Sequence, residues 1–202
     1  MKFRLLASLV SLSLTLVGTS AFADDHPSNF AQYSVSMSGS PFGGSFNFGY
    51  NASEKTTYLF SLGGLPGLEM DQEIGGTDYT VDSSSAWMGA FVQHRPFDGA
   101  KWFRLAAGIG IGSIENELKD DAGNTFVADY NDNPVGYTGI GFGFEPVAGF
   151  IWGVDLGLLF GAGPDVGQTA GTPDLDAVND IADHFLFGTV LPNLQVSLGW
   201  GF

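Results

Sequence analysis

The sequence contains no cysteine, which excludes disulfides, thiolate metal sites and thiol nucleophiles together. Positive charge is nearly as scarce: seven Lys and Arg stand against 22 Asp and Glu, for a net charge of −15. Nucleic acid is not an expected partner, because such a chain repels a phosphate backbone. No stretch reaches the roughly 20 apolar residues that a membrane-crossing helix needs. The nearest approach is at the N-terminus. There Lys2 and Arg4 precede an apolar run from Leu5 to Val17 and then Ala21-Phe22-Ala23, with small residues at the two positions a signal peptidase reads. Residues 1–23 are therefore expected to be a secretory leader and residues 24–202 one mature domain. Losing the two leader cations takes the net charge from −15 to −17.

What is abundant is an odd pair, 30 glycines and 18 phenylalanines. Glycine weakens a strand and phenylalanine demands burial, a conflict that a barrel resolves by turning bulky residues to lipid and glycines to a narrow lumen, where they let opposite walls approach. The last ten residues carry the pattern most openly. Leu194, Val196, Leu198, Trp200 and Phe202 alternate with Gln195, Ser197, Gly199 and Gly201, and the chain stops on its final aromatic. This reads as the closing strand of a membrane barrel, with Trp200 and Phe202 as its assembly signal. Gly201, on the small face, is expected to tolerate a methyl better than Phe202 tolerates a charge.

Alternation predicts eight strands. The first two lie at about 31–38 and 43–51, with a register break at Ser38 to Gly44; a third follows Lys55 through Tyr58, Phe60 and Leu62. A fourth runs from Tyr79 to His94 with its membrane face undecided. In the fifth, Phe103, Leu105, Ala107, Ile109 and Ile111 alternate with Arg104, Ala106, Gly108, Gly110 and Gly112. The sixth sets Thr138, Ile140, Phe142 and Phe144 against glycines and Tyr137, the seventh turns Phe150 to Phe160 outward, and the eighth is the C-terminal segment. Short connections alternate with three long acidic ones, at 65–78, 115–134 and 161–192. That sorting separates periplasmic turns from extracellular loops in outer-membrane barrels. Asp174 to His184, with Leu175, Val178, Ile181 and Ala182 on one face, predicts a short amphipathic helix in the last connection. Tyr50, Tyr58, Trp87, Trp102, Tyr137, Trp152 and Trp200 fall near strand ends and suggest aromatic girdles.

Parity places Arg104 and Asp155 in the lumen on strands separated by one neighbour. They read either as a structural ion pair filling a narrow barrel or as a polar constriction that selects solutes. Asp71, Glu73, Glu115, Glu117, Asp120, Asp121 and Asp165 sit in the acidic connections. They form a solvated surface, a funnel concentrating cations at the mouth, or a divalent bridge to anionic lipid heads. Asp129-Tyr130-Asn131-Asp132-Asn133 looks like half a calcium loop but lacks its closing Gly and Glu, so no metal or cofactor is expected. Ser83 to Ser85 and His94 lie on one strand and cannot form a nucleophile–base set alone, so an enzyme is not expected.

His94-Arg95-Pro96-Phe97 with Trp102-Phe103-Arg104-Leu105, Tyr137-Thr138-Gly139-Ile140-Gly141-Phe142-Gly143, Val154-Asp155-Leu156-Gly157 and Gly161 through Val166 resemble small outer-membrane barrels of the CarO type. The resemblance covers most of the mature chain. It implies an outer-membrane channel, in a group associated with basic amino-acid uptake and carbapenem susceptibility. The expectation is thus an exported eight-stranded outer-membrane barrel, contacting lipids and the barrel-assembly machinery and passing small cationic or polar solutes. The alternative is a closed structural or adhesive barrel.

Overall fold

The computed structural model describes residues 29–130, 133–143, 145–184 and 188–202. The expected leader 1–23, His26, Asp132 and Phe144 lie outside the described residues.

Among the described residues ten strands and one α-helix follow in order: β1 (Tyr33–Ser40), β2 (Gly43–Asn51), β3 (Thr56–Ile74), β4 (Thr77–His94), β5 (Phe103–Asp120), β6 (Thr125–Asp129), β7 (Val135–Gly143), β8 (Gly149–Phe160), β9 (Asp165–Ala170), α1 (Leu175–Asp183) and β10 (Val190–Gly201). Eight of the strands close an antiparallel ring in the order β4-β3-β2-β1-β10-β8-β7-β5, with β5 returning to β4. The seam between β1 and β10 is secured by the last residue, since Tyr33 N donates to Phe202 O at 2.9 Å and Phe202 N to Tyr33 O at 2.8 Å.

Alternation decides the faces. Val35, Met37, Phe46, Phe48, Phe60, Leu62, Ile109, Leu156, Leu158, Val196 and Leu198 are all exposed on the outside of the ring, while Ser34, Ser38, Asn47, Thr57, Arg104 and Asp155 are buried inside it. Burying one large apolar side chain is worth about 1.5–3 kcal/mol. A belt contributed by every strand of the ring is therefore incompatible with water and matches the lipid-facing band of a membrane barrel.

Strand length separates the ring from what stands on it. A tilted membrane strand needs about 9–11 residues, and β1, β2 and β7 have 8, 9 and 9. β3, β4 and β5 run for 19, 18 and 18 residues, roughly twice the span. Their excess continues as a sheet beyond the rim, widened by β6 on β5 and β9 on β6. This overturns the loop reading of 65–78 and most of that of 115–134. The Pro66-Gly67 signal is a bulge inside β3, where the register with β4 shifts between Leu65 and Leu68, and Gly67 takes a φ of +129°. The one-residue shift reverses the parity, so Leu68, Met70 and Ile74 continue the inner face while Glu69, Asp71 and Glu73 turn outward. The turn itself is Gly75-Gly76, both with positive φ.

The inner face of this extension carries its own small core of Ile74, Tyr79, Val81, Leu118, Phe126, Ala128 and Ile181, against which Val166, Ala177 and Val178 pack. Helix α1 lies where its periodicity predicts, with the Asp174 carboxylate accepting from Ala177 N at 3.0 Å as the N-cap. Its core stripe is Ala177, Val178 and Ile181, whereas Leu175 is exposed. At the other end of the ring, Ala31 N donates to Pro146 O and Ala148 N to Asn29 O, so the entering chain crosses the barrel floor.

Candidate functional site: the barrel lumen

Arg104 on β5, Gly141 on β7 and Asp155 on β8 form one cross-strand row. The arginine reaches across the glycine to the carboxylate, donating from Nε to Oδ1 at 3.0 Å and from Nη2 to Oδ2 at 2.6 Å. This two-point geometry is the strongest that an arginine and a carboxylate make, and both side chains are buried, at 7% and 5% exposure. Glycine makes the space. A Cβ on Gly141 would sit 2.6 Å from Arg104 Nε, and one on Gly153 would overlap the guanidinium.

Three aromatic rings line the lumen beyond the pair, and each lies against glycine. Trp87 covers Gly63, Phe91 covers Gly89 and Gly108, and Tyr137 covers Gly139 and Gly157, where side chains would overlap the rings; a Cβ on Gly112 would meet Trp87 Cα and Cβ at 2.6 Å. These glycines seat rings flat against the wall, where the sequence suggested a close approach of opposite walls. Phe91 and Tyr137 meet edge to face with centroids 5.6 Å apart. Trp87 is held by a hydrogen bond from Nε1 to Phe42 O at 3.1 Å.

Trp87 and Tyr137 are therefore lumen residues and leave the girdle to the others. Tyr50, Tyr58, Trp102, Trp152 and Trp200 are exposed outside. At the terminal end Phe202, Tyr33, Tyr50 and Tyr58 form a chain of neighbouring rings, and Trp102 stacks on Phe142 at 5.8 Å. Trp87 was missed as a lumen group because apolar residues occupy both parities of β4, and only pairing with Gly63 and Gly112 settles which side faces in.

Among the described residues two cavities meet beside the ion pair, and a third of about 180 Å³ lies under the extension, lined by Met70, Val81, Ser83, Tyr130 and Leu191 among others. Of the two that meet, the one toward the extension has about 110 Å³ and is lined by Phe42, Trp87, Phe91, Tyr137, Leu191 and Asn193 among others. The one toward the termini has about 70 Å³ and a polar wall that includes Ser34, Asn47, Asn51, Thr57, Arg95 and Arg104. They abut at Leu59, Gln93 and Gln195, which line both, beside the Arg104–Asp155 pair.

The carboxylates read as a mouth lie on the extension. Asp71, Glu73 and Glu115 face outward from the sheet, Glu117 and Asp120 are half-exposed, Asp121 is in the β5–β6 turn and Asp165 begins β9. Glu69, Asp82 and Glu117 stand side by side across three strands. Lys119 pairs with Glu117, and these three acids raise the lysine's pKa, with Glu117 the chief cause. Asp120 is held below the usual carboxylate range by hydrogen bonds from Asn124. Among the described residues no cluster of metal-ligating side chains forms; Asn131 and Asp132 of the calcium-like segment are not described. Ser83 donates to Asn116 and Ser85 to Phe42 O, while His94 contacts Thr56 at the opposite end, so these groups do not assemble a catalytic set.

The ring, its belt and its lumen define an eight-stranded barrel of the outer-membrane type, and comparison with solved structures makes the likeness specific. CarO of Acinetobacter baumannii matches with a TM-score of 0.65 at 16% identity, covering 85% of this chain and 98% of that one. CarO2 of the same organism matches with a TM-score of 0.68 at 14% identity, covering 86% and 99%. At these identities the shared feature is the fold, and this chain has a CarO-like barrel. No protein-family model and no curated protein matches the sequence.

Proposed function

We propose that the chain is an exported outer-membrane barrel that passes small polar or cationic solutes through a narrow lumen. The observation that carries this reading is the pair of cavities stacked along the lumen on either side of the Arg104–Asp155 layer and meeting at Gln93 and Gln195. Flexible polar side chains can move aside at that layer, whereas the buried Arg104–Asp155 pair is a fixed flank with no net charge. Lipids would contact the belt, and the barrel-assembly machinery would read the strand ending in Trp200 and Phe202. The acidic extension gives the approach a negative potential that concentrates cations, although its carboxylates face away from the cavity.

A closed structural barrel is the second reading, favoured by the burial of the ion pair and by the general fullness of eight-stranded interiors. Planar-bilayer recording on the purified mature barrel separates the two. Cation-selective steps that widen in a Gln93→Ala, Gln195→Ala variant support passage. A folded barrel that never conducts, with or without those changes, establishes the closed form.

A further inference from the structure

The cavity on the extension side of the ion pair is more aromatic than a solute path requires, and its polar groups are unevenly satisfied. Asp155 is taken by Arg104, and Phe42 O already accepts from Ser85 and Trp87. Two buried groups in the wall remain. The Tyr130 hydroxyl and Asn193 Oδ1 have no hydrogen-bond partner among the described residues, although the Asn193 side chain also reaches the Tyr137 hydroxyl. Tyr130 and Asn193 are 9% and 8% exposed. Leaving such atoms unpaired is destabilising, so their retention in a cavity wall points to something that satisfies them.

The rest of the wall says what shape that is. Trp87, Phe91 and Tyr137 lie flat on glycines around the space, with Phe42 and Leu191 completing it. A cavity near 110 Å³ is of the order of one that accepts a benzene ring, about 150 Å³. We propose that this cavity is a binding site for a small neutral aromatic molecule bearing a hydrogen-bond donor. The ring packs against Phe91, Tyr137 and Trp87, and the donor reaches Asn193 Oδ1, with Tyr130 as a second polar contact. The site depends on the barrel fold alone and stands whether or not the lumen conducts.

The test uses 4-fluorophenol and 4-fluorotoluene, which have nearly the same shape and differ in the donor. Fluorine NMR on the folded mature barrel in detergent resolves ring bound in the lumen from ring dissolved in micelles. Saturable binding is expected, with the phenol favoured about fivefold to tenfold beyond its micelle partition, the worth of one buried hydrogen bond. Asn193→Leu should abolish that preference without weakening 4-fluorotoluene, and Tyr130→Phe, which deletes only the hydroxyl, should reduce it. If Asn193→Leu fails to fold, as read by the heat-modifiable band, Tyr130→Phe decides alone. Equal, non-saturable uptake of both probes overturns the proposal. So does a preference unchanged in the folded variants, or stronger binding of 4-fluorobenzylammonium, which would mark a cation site instead.

Discussion

A methyl group at Gly141 would lie 2.6 Å from Arg104 Nε and 2.8 Å from its Cγ, in a wall whose next strand carries Asp155. Gly141→Ala should therefore break the ion pair as surely as removing a partner does. Arg104→Gln and Asp155→Asn should each cost about 3 kcal/mol, because either leaves a buried charge unmatched, and the double change should recover part of that loss. Thermal unfolding of the four-member cycle measures the coupling, and additive losses would show that the two groups act independently. Gly201 requires a revised expectation. Its Cβ would overlap Val147 O and stand 2.9 Å from Ala31 Cβ, so Gly201→Ala disturbs the barrel floor rather than an open lumen. Folding yields of Gly201→Ala and Phe202→Asp should both fall, the former by clash and the latter by loss of a lipid anchor. A normal yield for Gly201→Ala would place the entering segment elsewhere.

The elements of the ring were legible because each strand alternates between lipid and lumen, and a period of two survives in sequence without knowledge of partners. The extension was not legible. Its strands carry acids on one face and a small core on the other, and Pro66-Gly67 and Gly75-Gly76 signal turns as strongly as they signal a bulge and a hairpin tip. The Arg104–Asp155 row was readable from parity, whereas the inward direction of Trp87 was not. Because the extension's core is separate from the ring, Ile181→Ala should loosen α1 by about 2–4 kcal/mol and leave the heat-modifiable behaviour of the ring intact. Simultaneous loss of both would make ring and extension one cooperative unit. The β5–β6 turn offers a pH test. The Asp120 carboxylate accepts from Asn124 N at 2.8 Å and Nδ2 at 2.7 Å, and these bonds hold its pKa below the usual range. They are fully present above the unfolded value of about 3.9 and are lost as pH falls through the lower folded value. The Asn124 amide shift should titrate below pH 3.9, and an inflection at or above that pH would dismiss the cap.

Along the axis of the whole molecule the charges are sorted. Lys55 pairs with Asp98 at 2.7 Å, and Lys101 with Glu54 at 2.6 Å and Glu145 at 3.5 Å, all at the end that holds the chain termini. Arg95 and Arg104 are buried near the same end. Of the five Lys and Arg residues in 24–202, only Lys119 lies on the extension, with its side chain 57% exposed. Trypsin, which cuts after Lys and Arg, thus reads orientation directly. If export through the periplasm leaves the termini inside and the extension outside, trypsin added to intact cells meets Lys119 alone. The native sheet should resist it, because a strand hydrogen-bonded on both sides does not fit a protease cleft. Ile181→Ala, by loosening the core beneath that sheet, should admit one cut and give a fragment ending at Lys119 and another beginning at Asp120. Both pieces should stay in the outer membrane, since each carries complete strands of the ring. Cleavage after Lys55 or Lys101 in intact cells would reverse the orientation, and fragments in the soluble periplasmic fraction would remove the chain from the membrane altogether.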